Sequence, residues 1–180
     1  MYYLIRKEAK DIYRVIDYLY ESKYILYGEF TLSTIEEKLI IGISRLRNIL
    51  FRDLENIFRQ NNLTITQFSV LEVLYHKGSL SVGEIQRLVL GTNGNIPLVI
   101  KNLEKEALVS KNKSETDSRV SIIKLTEKGY KVISEVYPKQ QERLSELLKN
   151  INSDDKQDLT QKLLKAYQCV LQVKEDEIND

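Results

Sequence analysis

The sequence predicts a mainly helical chain with one small β-hairpin, assembling with a second copy through its terminal helices. Three observations carry this. Apolar residues recur at helical spacing over most of the 180 residues, and only 7 Gly and 2 Pro interrupt them. The period changes once, between Leu108 and Leu125, to two β-prone segments flanking a polar loop. Two helical stretches near the ends are longer than one small core can cover.

Residues 4–27 read as the first helix, since Ile5, Ala9, Ile12, Ile16 and Leu19 recur at alternating spacings of four and three. Seven of the 11 tyrosines precede residue 28, giving this extension an aromatic face suited to packing on other helices. Ser33-x-x-Glu36 then has the form of a capping box, in which a hydroxyl and a carboxylate each satisfy a backbone N–H. The helix it opens carries Ile35, Leu39, Leu46, Ile49, Leu50, Leu54, Ile57 and Phe58, and closes near Asn61-Asn62. It would span roughly 40 Å, so part of it is expected to meet a second subunit.

Thr64-x-x-Gln67 is a second box, before a helix bearing Phe68, Leu71, Leu74 and Tyr75, and Lys77-Gly78 closes it with a residue free to take positive φ. Ser81-x-x-Glu84 opens a short helix with Ile85, Leu88 and Val89. Gly91 to Asn95 reads as a tight turn, and Pro97 suits the first turn of the next helix, Ile96 to Glu106, whose apolar stripe is Ile96, Val99, Ile100 and Leu103. Leu108-Val109 and Val120 to Leu125 read as strands around the polar loop Ser110 to Arg119. Helical period returns through Val132, Ile133 and Val136; Pro138 is expected to kink or break that helix, and Leu144, Leu147, Leu148 and Ile151 continue it. Asn152-Ser153-Asp154 recaps a last helix with Leu159, Leu163, Leu164, Tyr167, Val170 and Leu171, before a charged tail. The resulting organisation is an N-terminal amphipathic extension (1–30), a long dimerisation and linker helix (31–62), a central domain (63–128), C-terminal dimerisation helices (129–173) and a tail (174–180).

Helix, tight turn, helix and charged hairpin, in that order, make a winged helix-turn-helix. Such a domain lays its second helix in the major groove, where base edges are distinguishable, and its hairpin on phosphates or the minor groove. The candidate DNA contacts are then Asn93, Asn95, Leu98, Lys101, Asn102 and Lys105 on the recognition helix and its entry, with Lys111, Lys113 and Arg119 on the hairpin. Asn93 and Asn95 serve equally well as turn and cap residues. Asp117, two residues before Arg119, can pair with it and stabilise the wing, and arginine suits the concentrated negative potential of a narrow minor groove. The net charge of +1 does not announce a nucleic-acid binder, but residues 61–129 carry 9 Lys/Arg against 7 Asp/Glu.

Asp117-Ser118-Arg119, followed at the same fixed interval by Leu125-Thr126-x-x-Gly129, resembles the wing of MarR-family regulators. Leu63-Thr64-x-x-Gln67-Phe68 with Leu71, and Asn102-Leu103-Glu104-Lys105 before Leu108-Val109, resemble that family's second helix and the end of its recognition helix. The resemblance covers roughly residues 36–170. It implies a homodimeric, sequence-specific DNA-binding transcriptional regulator on a pseudo-palindromic double-stranded operator, repressing until a small-molecule effector releases it. It also implies an effector pocket between dimer helices and winged domain, near Leu46, Leu50, Phe68 and Tyr75, all four of them equally good core residues. Ala107 departs from the pattern, standing where the family usually has glycine, so a left-handed turn there would be strained. Pro97 removes one backbone donor from the recognition helix.

Other chemistry finds little material. His76 is the lone histidine and Cys169 the lone cysteine, so a zinc site of usual composition or a His-dependent triad is hard to build, and neither enzyme activity nor a metal or cofactor is expected. His76 is expected to cap a helix end. Cys169 is expected to be structural among apolar neighbours, and it fits a reducing compartment. Gly91-x-x-Gly94 lacks the Lys and Ser/Thr of a phosphate loop. No apolar run reaches membrane-spanning length and no signal-peptide pattern opens the chain, so a cytoplasmic protein without membrane contact is expected. The rival reading is a winged-helix protein-interaction module that uses the tyrosine-rich helix and does not read DNA sequence.

Overall fold

The computed structural model describes residues 34–89, 95–113, 117 and 119–179. The expected helix over 4–27, the loop residue Asn93 and Ser33 of the first expected box lie outside them. The chain divides into two units, Met1–Arg47 and Asn48–Asp180. What is described of the first is the N-terminal half of helix α1 (Ile35–Gln60). Its cap is Thr34, not Ser33: Thr34 N–H donates to Glu37 Oε2 at 3.3 Å and Glu37 N–H donates to Thr34 Oγ1 at 3.2 Å. Tandem Ser-Thr and Glu-Glu offer the same spacing in two registers, and the helix uses the later one. Ile35, Leu39, Ile40, Ile43 and Leu46 are exposed along this half.

The second unit holds the core. Helix α1 ends in a tight C-cap, in which Asn62 N–H donates to Arg59 C=O at 3.0 Å and Leu63 N–H to Phe58 C=O at 2.9 Å. Asn62 takes φ 58° there, a conformation asparagine tolerates better than most residues. The two expected capping boxes form as read. Thr64 N–H and Gln67 Oε1 are 2.8 Å apart at the start of α2 (Ile65–Lys77), and Ser81 N–H donates to Glu84 Oε2 at 2.7 Å at the start of α3 (Val82–Leu88). Gly78 closes α2 at φ 79°, ψ −147°, a region open to glycine. Helix α4 (Ile96–Lys105) follows, then β2 (Val109–Lys113), β3 (Ser121–Leu125), α5 (Glu127–Leu147) and α6 (Ser153–Asn179).

Four expectations are corrected. The hairpin is part of a three-stranded antiparallel sheet in the order β1-β3-β2, because Leu80–Ser81 forms a short strand, β1, paired with Ile122 and Ile123. Strand β2 runs through Ser110–Lys113, which had read as loop. Its backbone pairs residue for residue with β3, and the outer residues need no apolar side chains because they extend past the core. Helix α5 continues through Pro138. The ring removes the N–H that would reach the Ser134 carbonyl, but the position is exposed and that helix face meets water. Helix α6 continues through the charged residues after Lys174, where Gln172 Nε2 donates to Asp176 Oδ1 one turn on and exposed side chains need no burial.

Phe58 and Phe68 stack at 4.1 Å at the centre of the core. Around them lie Leu54, Leu63, Leu71, Leu74, Ile85, Ile100, Leu103, Val109, Ile123, Ile133 and Val136. Each large apolar side chain buried this way stabilises by about 1.5–3 kcal/mol. Helix α2 is the hub, packing on α3, α4, α5 and β3, so that α4 is carried on its Ile96, Ile100 and Leu103 side. Helix α6 is exposed along nearly its whole length, Leu159, Leu163, Leu164, Tyr167, Val170 and Leu171 included. Cys169 is exposed on it too, beside the likewise exposed Tyr167, Val170 and Leu171.

Candidate nucleic-acid interface

Helix α4 is amphipathic in the sense a reading helix requires. With Ile96, Ile100 and Leu103 buried, Leu98, Lys101, Asn102 and Lys105 fall together on the exposed side. Leu98 is 51% exposed, an apolar group of the kind that meets a thymine methyl. Asn95 is the N-cap: its Oδ1 accepts Leu98 N–H at 3.2 Å. That commits the acceptor half of its amide to the helix and leaves the NH₂ half as a donor, so the capping role is the one the geometry realises. Pro97 occupies the first turn, where its missing N–H breaks no helical bond.

The hairpin adds a second group of cations. Paired residues of an antiparallel ribbon share a face, so Lys111 (opposite Ile123) and Lys113 (opposite Ser121) project on one side, and Lys124 (opposite Ser110) on the other. All three lysines are exposed. Lys124 was not among the expected contacts; strict alternation about the buried Ile123 is the signal that marks it.

In the connection between β2 and β3, Asp117 organises Arg119. Its Oδ1 accepts Arg119 N–H at 3.0 Å and Nε at 3.1 Å, and its Oδ2 accepts Nη2 at 3.0 Å. The Val120 N–H closes the turn onto the Asp117 carbonyl at 2.9 Å. The Arg119 side chain and backbone donors hold the Asp117 carboxyl below its ordinary range, and the carboxylate holds the guanidinium above its own. An exposed pair of this kind contributes little to stability. What it supplies is orientation: Arg119 is 88% exposed yet fixed by a planar fork.

The end of α4 is tied to the start of α5. Ala107 has φ 56°, so the strained left-handed turn anticipated from its departure from glycine is present. Thr126 caps α5 through Gly129 N–H at 3.0 Å, and its hydroxyl donates to the Ala107 carbonyl at 2.6 Å. Lys128 Nζ donates to the Glu106 carbonyl at 2.7 Å. A Cβ on Gly129 would stand 1.9 Å from the Leu108 carbonyl oxygen, so no other residue fits without moving backbone.

The four residues expected near an effector are not alike. Phe68 is fully buried in its stack with Phe58 and is a core residue. Leu50 is half-buried, and Leu46, in the first unit, is exposed. Tyr75 is half-buried against Tyr130 and Tyr137, at 5.3 and 6.0 Å between ring centres. His76 lies edge-on to Tyr137 at 4.8 Å, while the Gly78 N–H covers the Leu74 carbonyl. An open groove of about 630 Å³ runs instead beside Ile57, Lys139, Glu142, Arg143, Ser145 and Glu146. Arg143 is ion-paired with Asp53 across it, and Lys139 Nζ reaches Asn61 Oδ1 at 3.3 Å.

Comparisons with known proteins agree with this architecture. The family model for the transcriptional regulator SarA/Rot matches residues 54–136, the segment from the end of α1 to the middle of α5. The chain is 29% identical to the HTH-type transcriptional regulator MhqR of Bacillus subtilis over 126 residues, 70% of this chain and 87% of that one. It is 30% identical to MgrA of Staphylococcus aureus over 73 residues, 41% and 50% of the two chains. Among solved structures, it is similar to the organohalide-sensing regulator RdhR-CbdbA1625, with a TM-score of 0.72 at 19% identity over 85% of this chain and 91% of that one. That regulator also has a form bound to 2,4-dichlorophenol. NadR in complex with 4-hydroxyphenylacetate gives a TM-score of 0.63 at 22% identity, covering 77% and 96%. Among the described residues, no helix is long and apolar enough to cross a membrane. With its capped helices, three-stranded sheet and carried helix α4, the chain has the winged helix-turn-helix fold of these solved regulators, and it is similar in sequence to HTH-type transcriptional regulators.

Proposed function

We propose that the chain acts in the cytoplasm as a homodimeric repressor that reads a pseudo-palindromic operator, and that it does no enzyme chemistry. The observation that carries the reading is the exposed row Leu98, Lys101, Asn102 and Lys105, opposite the buried row that fixes α4 to α2. In this reading the row enters the major groove, Lys111 and Lys113 meet phosphates, and Arg119, oriented by Asp117, enters the minor groove. The apolar rows on α1 and α6 support dimerisation: seven large apolar residues of α6 alone are exposed among the described residues, more than a solitary helix keeps in water.

Release by a small molecule is part of the same proposal. Two structurally similar regulators are known with a substituted phenol bound, 2,4-dichlorophenol in one and 4-hydroxyphenylacetate in the other. A small aromatic effector is therefore the class to screen first, by its ability to dissociate a preformed DNA complex.

The testing experiment is a quantitative shift assay on genomic fragments recovered by the protein, run across a salt series. Affinity should fall steeply with salt, because phosphate neutralisation releases counterions. Arg119→Ala should weaken binding by about 1–3 kcal/mol with folding and dimerisation intact. Salt-independent binding, or unchanged affinity in the variant, would refute the reading of helix or wing respectively.

A further inference from the structure

A helix end leaves carbonyls uncovered by its own turns, and from the C-cap of α4, Glu106, through the turn that follows it, three successive carbonyls are covered by residues of a single neighbour. Lys128 Nζ donates to the Glu106 carbonyl, the Thr126 hydroxyl to the Ala107 carbonyl, and the Thr126 N–H to the Leu108 carbonyl at 3.1 Å. The Thr126 hydroxyl also accepts the Gly129 N–H, so one oxygen joins the end of α4 to the start of α5. The clamp reaches the reading face in one step, because the Glu106 N–H donates to the Asn102 carbonyl at 3.1 Å.

We propose that Thr126 and Lys128 are positioning residues for DNA recognition: they set the pose of α4 through the carbonyls of its C-cap and of the turn that follows. The Lys128 ammonium serves the helix end, where a cation complements the dipole, and not a phosphate. The proposal rests on the reading of α4 as the recognition helix. It separates Lys128 from Lys101, Lys105, Lys111 and Lys113, which make no ion pair among the described residues and which the proposed reading assigns to DNA.

The test uses the full chain as wild type, Lys128→Ala, Lys128→Arg, Thr126→Val and Thr126→Ser. The probes are duplexes of about 30 base pairs selected by the wild type from a random library, and the unselected library itself. Lys128→Ala should weaken binding to selected DNA about fivefold, the net scale of one exposed hydrogen bond, and leave the unselected pool and the salt slope unchanged. Lys128→Arg should restore affinity. Thr126→Ser should behave as wild type where Thr126→Val does not.

Amide exchange in the free protein gives an arm that needs no DNA. The Glu106 and Ala107 amides should exchange several-fold faster in Lys128→Ala. Unchanged exchange, or faster exchange with unchanged DNA affinity, overturns the proposal. So does an equal loss on both DNAs with the salt slope flattened by about one unit, which would make Lys128 a phosphate contact. A wild type that binds selected and unselected DNA equally would refute the reading of α4 itself, and the exchange arm would still decide whether Lys128 holds the helix end.

Discussion

Replacing Ala107 with glycine should stabilise the protein. Ala107 sits one residue past the C-cap of α4 at φ 56°, with its N–H on the Glu104 carbonyl and the Leu108 N–H on the Leu103 carbonyl, both at 2.9 Å. These two bonds define a turn that an L-residue enters at roughly 1–2 kcal/mol. Glycine removes that strain but gives the unfolded chain more freedom, at a cost of roughly 0.5–1 kcal/mol. The side chain is exposed, so losing one methyl forfeits almost no burial. The net is a gain of about 0.5–1 kcal/mol, or about 1–4 °C in Tm for a chain of this size. Urea and thermal unfolding should be measured at one fixed protein concentration, since self-association raises apparent stability. The urea midpoint should rise with its slope unchanged. Ala107→Val serves as the opposite control, because a β-branched residue fits positive φ worst. A less stable Ala107→Gly protein would refute the argument that this turn is strained.

Gly129→Ala should do the reverse: the added Cβ meets backbone that cannot rotate away, and a loss above about 3 kcal/mol is expected in the same unfolding assay. Asn102→Ala should change base preference in a selection experiment, whereas Lys101→Ala should weaken all sequences alike and flatten the salt slope by about one unit. Glu72 is half-buried, and desolvation raises its carboxyl above the ordinary 4.5 despite His76 and Gln140. A raised carboxyl contributes its full stability below the unfolded value and loses it as pH climbs through the folded one. Glu72→Gln should therefore raise Tm at pH 7 and leave it unchanged near pH 3.5; an equal gain at both would assign the effect to packing.

The caps were legible because they depend on residues three apart and on nothing distant. Thr64 with Gln67, and Ser81 with Glu84, form the bonds their spacing implies. Where the sequence repeats a cap, as in Ser33-Thr34 before Glu36-Glu37, local chemistry permits two starts and cannot choose between them. Strand β1 was illegible for another reason: it is two residues long, and Ser81 serves both as its last residue and as the cap of α3. Pairing with β3 across forty residues creates it. The outer half of β2 carries Lys111, Asn112 and Lys113, residues with weak strand preference, held by the ladder to β3. Of the candidate interface, the exposed row of α4 followed from its buried row, while Phe68, by periodicity as good a core residue as a pocket residue, lies in the core. Apolar periodicity marks a side chain as inward-facing without saying whether it meets a cavity or another ring.

The residues that reveal the architecture and those proposed to read DNA stand under opposite constraints. Thr126, Gly129 and Asp117 each answer to a fixed intrachain partner: the Ala107 carbonyl, the Leu108 backbone and the Arg119 fork. Such demands admit few residue types, which is why Asp-x-Arg and Leu-Thr-x-x-Gly are recognisable in a single sequence. Leu98, Lys101, Asn102 and Lys105 are exposed, so under the proposed reading their types are free to follow an operator. The same division accounts for a net charge of only +1. Phosphate attraction acts over about 10 Å, so under the proposed reading what matters is the local set of Lys101, Lys105, Lys111, Lys113 and Arg119. The acidic residues of α6 can balance the total without being part of that set.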